Sequence, residues 1–265
     1  MMRTISALYI PVIVAIISLT SCVTARKVTS PNCNGVRNMT ETDESGRLFL
    51  NKFILNGSIA EGQQKSKVCH FKKEFGVEAY SGYIGTQDKK NFFFLLVKSE
   101  KNTQPDNSNV PLILWLQGGP GQTSLFGQFV ENGPIGIDKD GKLYNRTHTL
   151  WKDYDVLYLD QPVGAGFSFV EPESNGSPEE KKTPSMKGFP KSLEDIAKDI
   201  GDFLCLFFRL FKTYQNKDFY IAGESYGGTY ASFYVIDPPV LELIHRQVLQ
   251  HFGKFLTDTS LIAML

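Results

Sequence analysis

The sequence holds 265 residues, enough for one large α/β domain with a full core. Its 28 lysines and arginines match its 28 aspartates and glutamates, so no net field draws it to nucleic acid or to an anionic membrane. Aromatic content of 12% suits a large buried sheet, and no internal repeat or heptad run argues for an array.

Arg3 precedes an apolar run from Ile5 to Leu19, and small residues close it at Val23-Thr24-Ala25. That order of charged, apolar and small segments predicts a secretory signal peptide over residues 1–25, cleaved after Ala25. The run is short for a span and contains Pro11, so no membrane span is expected in the mature chain. A retained signal anchor is the alternative. Leu19-Thr20-Ser21-Cys22 resembles a bacterial lipoprotein cleavage box, but four N-glycosylation triplets point instead to a eukaryotic secretory route, lysosomal or extracellular. They begin at Asn38, Asn56, Asn145 and Asn175, the last weakened by Pro178 after its serine. Cys22 leaves with the signal, and Cys33, Cys69 and Cys205 remain, an odd number for an oxidising compartment. No two cysteines have zinc-ligand spacing, and no metal or cofactor is expected.

Residues 26–66 are polar and read as an extended leader with little core of its own. Residues 78–84 and 92–97 predict two strands around a polar turn, an antiparallel hairpin. After a Pro/Asn/Ser-rich loop, Pro111-Leu112-Ile113-Leu114-Trp115-Leu116 is continuously apolar over one strand length, as a buried central strand requires. It runs into Gln117-Gly118-Gly119-Pro120-Gly121, a turn that brings bare backbone N–H groups to the sheet edge where ligands bind. No Lys-Ser/Thr follows those glycines, which argues against a phosphate cradle. A strand over 154–159 leads into the Pro/Gly-rich loop Asp160–Ser168, read as structural. Residues 171–190 form a charged loop. Ser192 with Asp195 three residues later predicts a helix start, and apolar residues at 193, 196, 197, 200, 204, 207, 208 and 211 give that helix a sheet-facing stripe holding a buried, inert Cys205. Strand 154–159, this helix and a strand over 219–222 make a βαβ unit, hence parallel strands.

Gly223-Glu224-Ser225-Tyr226-Gly227 then fits G-x-S-x-G, the strained strand-to-helix turn that lifts a serine hydroxyl above a sheet. Glycines two before and two after the serine answer a steric need where strand and helix pass closely. In that fold one oxyanion N–H comes from the Gly-rich turn and one from the residue after the nucleophile, here Gly119 and Tyr226.

Four motifs together resemble the serine carboxypeptidases: Trp115-Leu116-Gln117-Gly118-Gly119-Pro120-Gly121, Glu131-Asn132-Gly133-Pro134, Asp160–Ser168 and Gly223–Gly228. They stand in the family's order, over about Glu74 to Tyr230, and look most like its vitellogenic-type and lysosomal branch. The resemblance implies an α/β-hydrolase fold and release of the last residue from peptides bound by their free C-terminal carboxylate. It implies Ser225 as nucleophile and Trp115, Gln117, Gly118, Glu131 and Glu224 as the carboxylate-recognising set. Where the family usually has Asn, this chain has Gln117, one methylene longer. The domain is expected over 67–235, followed by a divergent segment over 236–265.

The acid and histidine of a triad are expected well beyond the serine, and 40 residues follow Ser225. Asp237, Asp258, His245 and His251 are among them, but both histidines fall on one predicted amphipathic helix and read as polar residues on its flank. His70 and His148 precede the serine and match no catalytic position of the family. The fold is therefore expected to be incomplete on its C-terminal side, with the chain as given inactive. An acyltransferase on the same scaffold and a non-catalytic secreted isoform are the alternatives.

Overall fold

The computed structural model describes residues 37–103, 109–172, 187–236 and 262–264. Three short helices come first, α1 (Asn51–Asn56), α2 (Ile59–Lys65) and α3 (Cys69–Phe75). β1 (Ala79–Gly85) and β2 (Lys90–Val97) form the expected antiparallel hairpin. β3 (Leu112–Leu116) follows, then a π-helical turn, Gly127–Glu131, and a small separate hairpin of β4 (Ile135–Ile137) and β5 (Leu143–Asn145). β6 (Asp155–Leu159), β7 (Phe169–Val170), α4 (Leu193–Leu210), β8 (Phe219–Glu224) and α5 (Tyr226–Ile236) complete the order, with β9 (Ile262–Met264) beside β8.

The main sheet runs β1-β2-β6-β3-β8-β9, with β7 on the end of β2. β6, β3 and β8 are parallel, as the crossover through α4 predicts. They do not pair in chain order, however, because β3 lies between β6 and β8. All five residues of β3 are buried, and a strand apolar on both faces has its lowest free energy at the sheet centre. Sheet and helices make this an α/β fold.

Strand alternation sorts the core into two faces. Leu112, Leu114, Leu116, Leu157, Leu159, Phe92, Phe94 and Leu96 point to one, where Phe203, Leu204 and Phe207 of α4 cover them. Ile113, Trp115, Val156, Tyr158, Leu95, Val97 and Ala222 point to the other. α4 starts as predicted, with Ser192 Oγ accepting the Asp195 amide at 3.2 Å.

Two expectations need correction. Leu50, Phe53 and Ile54 are 3% exposed or less and sit in the α4-side core, so the described part of the expected leader, from residue 37, is neither wholly extended nor coreless. Leu48 to Ile54 is apolar at the spacing of a helix face, a signal that its polar surroundings obscure. Cys205, expected as a buried inert thiol, is only partly buried and is disulfide-bonded, while Cys69 is free and exposed.

Lys90 on β2 shares the parity of Phe92 and Phe94, so it points at α4, where its Nζ lies 2.6 Å from Asp199 Oδ1 with both side chains under 10% exposed. Burial pushes the Asp199 carboxyl up to about 6, against the pull of Lys90. Removing one partner of such a pair strands the other charge, whereas replacing both with apolar groups relieves it. Lys90→Met is expected to lower unfolding free energy by about 3–5 kcal/mol in urea titration, and Lys90→Met/Asp199→Leu to recover most of the loss.

Candidate active site

β8 ends at Glu224 and α5 begins at Tyr226, so Ser225 forms the turn alone, exposed and at φ 56. A side chain in that region costs about 1–3 kcal/mol and persists only where its surroundings impose it. Here they do. A Cβ on Gly223 would stand 2.2 Å from the Gly227 carbonyl oxygen, and one on Gly227 would stand 2.1 Å from the Leu116 carbonyl oxygen of β3. Strand, turn and helix meet with no room for a methyl group. Tyr226 opens α5, where first-turn amides lack intrahelical acceptors and the helix dipole is positive.

The Gly-rich turn presses on this elbow. A Cβ on Gly118 would lie 2.7 Å from both the Glu224 carbonyl oxygen and the Tyr226 nitrogen, and 3.0 Å from Ser225 Cβ. Gly119 takes φ 110, a conformation that side chains avoid. Asp160 holds the far side of the turn. Its Oδ1 accepts Thr123 Oγ1 at 2.6 Å and the Ser124 amide at 2.9 Å, and its Oδ2 accepts the Phe167 amide at 2.8 Å. Burial raises the Asp160 carboxyl, and these three donors oppose the rise.

Parity and register place the polar groups. Trp115 lies opposite Ala222 on the face away from α4, so Gln117 and Glu224, two residues further on their strands, share that face. Trp115 Nε1 donates to Gln117 Oε1 at 2.9 Å, and Gln117 Nε2 donates to Glu224 Oε2 at 2.6 Å. The longer amide of Gln117 thus still bridges indole and carboxylate. Gly127 packs flush on the Trp115 indole, where a Cβ would lie 2.3 Å from Nε1, and its π-helical turn ends on Glu131. Burial raises the Glu131 carboxyl, the Glu224 charge adds to the rise, and Gln117 and Arg146 oppose it. Glu131 Oε2 is buried without a hydrogen-bond partner.

Ser225, Tyr226, Gly118, Gly119, Gln117, Trp115, Glu131 and Glu224 therefore converge from four segments. His70 packs against Phe75 on α3, and His148 Nδ1 lies 3.1 Å from Thr147 Oγ1, so neither joins them. His245, His251, Asp237, Asp258 and Asn175 lie outside the described residues. Among the described residues no cluster of three or more His, Cys, Asp or Glu could hold a metal. Two contributors escaped the sequence reading. Tyr158 hydroxyl donates to Asn132 Oδ1 at 2.8 Å, which its position on the Trp115 face foretells. Arg146 reaches the backbone of the Glu131 segment, which nothing in its own sequence context signals.

The sequence model of the serine carboxypeptidase family matches residues 70–236, more than half of the chain. The venom serine carboxypeptidase of Apis mellifera is 37% identical over 192 residues, 72% of this chain and 37% of that protein. The vitellogenic carboxypeptidase of Aedes aegypti is 36% identical over 190 residues, 71% of this chain and 36% of that protein. Among solved structures, a prohormone-processing carboxypeptidase of Saccharomyces cerevisiae, Kex1(delta)p, superposes with TM-score 0.52 at 32% identity, covering 69% of this chain and 36% of that one. The chain thus spans just over a third of the length of these relatives. With the elbow, the Gly-rich turn and their α/β scaffold in place, the chain belongs to the serine carboxypeptidase family.

Proposed function

We propose that this chain serves serine-type carboxypeptidase chemistry, the release of the last residue from a peptide. The observation that carries the reading is the contact between the Gly118 turn and the Ser225 elbow, which sets backbone amides of two segments beside one strained, exposed serine. Ser225 Oγ would attack the last peptide carbonyl carbon, its proton passing to a base. The carbonyl electron pair would move onto oxygen, facing the amides of Gly119 and Tyr226, whose fixed dipoles stabilise the charge as it forms. Collapse would then expel the C-terminal residue as its amine, protonated by the same base, and water would release the acyl group from Ser225.

Trp115, Gln117, Gly118, Glu131 and Glu224 would receive the terminal carboxylate. Two carboxylates and a third from substrate cannot share a half-buried site unless one carries a proton. Glu131, with its raised carboxyl and unpartnered oxygen, is the group suited to carry it and donate. Protonated Glu131 becomes scarcer as pH rises through its raised value, so free-carboxylate binding should weaken in that direction.

The chain is proposed to work in the secretory pathway, in a lysosome or outside the cell. A disulfide at Cys205 fits an oxidising compartment, and the proposed glycan acceptors Asn38, Asn56 and Asn145 are all exposed. Among the described residues, no helix is long and apolar enough to cross a membrane.

The test is release of the last residue from N-blocked dipeptides between about pH 4 and about pH 8, by this chain completed with the family's triad acid and histidine and by the same protein carrying Ser225→Ala, the chain alone being expected to release none. Release is expected to fall roughly 10⁴-fold or more in the variant. It is also expected to decline from acid toward neutral pH through weaker binding, seen as a rising KM. Release undiminished by Ser225→Ala, or acyl transfer to an alcohol in place of hydrolysis, would sink the reading. Gly118→Ala, which forces the turn off the elbow, is expected to lower kcat by roughly 10²-fold or more with the fold retained by circular dichroism.

A further inference from the structure

The segment carrying Glu131 and Asn132 is a five-residue π-helical turn followed by an irregular stretch, and such a turn has few hydrogen bonds of its own to hold it. Its carbonyl groups show what does. The Gly127 oxygen accepts the amides of Asn132 at 2.8 Å and Gly133 at 3.4 Å, and the Asn132 oxygen accepts the Leu150 amide at 3.0 Å. The oxygens of Gln128, Phe129 and Gly133 go to a single group. Arg146 Nη1 donates to Gln128 at 3.2 Å and to Gly133 at 2.7 Å, and Nη2 donates to Phe129 at 2.7 Å. The Arg146 backbone amide donates to Pro134 O at 2.7 Å. One residue at the end of β5 therefore grips the segment on both sides of Glu131 and Asn132.

We propose that Arg146 is a positioning residue, whose guanidinium fork fixes the turn carrying Glu131 for capture of a peptide's terminal carboxylate. This rests on the carboxylate-recognition reading above. The planar fork suits the task because its donors diverge in one plane toward carbonyls that a single ammonium cannot reach together. The anchoring is complementary from the other side, where Tyr158 hydroxyl donates to Asn132 Oδ1 and Gly133 lies flush on Gln128. A Cβ at Gly133 would stand 2.1 Å from Gln128 Oε1, so the loop closes on itself tightly enough for the fork to span it. The positive charge also faces Glu131 and favours its ionised form, which leaves burial and Glu224 to keep its proton within reach.

The experiment compares the full chain with Arg146→Met, which keeps the apolar stem, and Arg146→Lys, which keeps the charge. Both preserve the Asn145-X-Thr147 acceptor triplet, so glycosylation is held constant. Hydrogen exchange followed by mass spectrometry reads residues 127–133 against β3 and β8. Exchange over 127–133 is expected to rise roughly tenfold or more in Arg146→Met, with the strands unchanged and Arg146→Lys intermediate. Calorimetry with an N-blocked dipeptide as its free acid and as its amide reads the second consequence. The preference for the free acid should fall roughly tenfold in Arg146→Met while affinity for the amide holds. Unchanged exchange in Arg146→Met, or full recovery in Arg146→Lys, overturns the proposal. Should Arg146→Met loosen β3 and β8 as well, Arg146→Lys decides it, faster local exchange over intact strands supporting the clamp and unaltered exchange refuting it. A chain with no preference for the free acid refutes carboxylate recognition alone, and the exchange result still decides the clamp.

Discussion

The closeness of β3 to the β8–α5 elbow is the constraint on which the rest depends. Backbone meets backbone there, carbonyl of Leu116 against Gly227 and carbonyl of Gly227 against Gly223. A serine can be held at φ 56 only because the chain on either side has nowhere else to go. The same closeness sets the register Trp115 opposite Ala222 and Leu116 opposite Gly223, which aligns Gln117 with Glu224 across 107 residues of sequence. The Ser225 turn and the Trp115–Gln117–Glu224 chain are therefore two outcomes of a single strand pairing.

Face parity then divides labour across the sheet. The side covered by α4 is mainly apolar, with the Lys90–Asp199 pair and the buried Asp155, whose Oδ2 accepts the Tyr214 hydroxyl, as its polar insertions. The opposite side begins apolar at Ile113 and Val156 and turns polar toward the carboxyl ends of the strands, where Trp115, Gln117, Tyr158 and Glu224 gather. Buried polar groups are tolerable when each finds a partner, and the chain from indole through amide to carboxylate supplies them. Glu131 Oε2 is an exception, buried without a hydrogen-bond partner.

Much of this was legible in the residues. The hairpin, the apolar run of β3, the Ser192 cap and the glycine spacing around Ser225 each carry a local physical signal, and four separate motifs agreed on the family. Strand order was not legible, because β6 and β8 look like neighbours until β3 claims the centre by being apolar on both faces. The helices before residue 66 were missed since a few apolar side chains sit among many polar ones. Arg146 was missed for another reason. Its partners are backbone oxygens, identical at every position of any chain, so no side-chain pattern betrays the contact. The disulfide at Cys205 could not be read from spacing, since cysteine connectivity depends on the fold.

Asp160 has a consequence of its own. One carboxylate serves two loops, taking Thr123 and Ser124 on one oxygen and Phe167 on the other. A proton on that carboxyl would remove the charge that strengthens all three bonds, and burial brings protonation nearer neutral pH than for an aspartate in water. Glu131 is proposed to act with its proton on, while Asp160 braces the Gly-rich turn most strongly with its proton off. The acid range open to this rim would thus be bounded below by the group that braces it and above by the group proposed to receive the substrate.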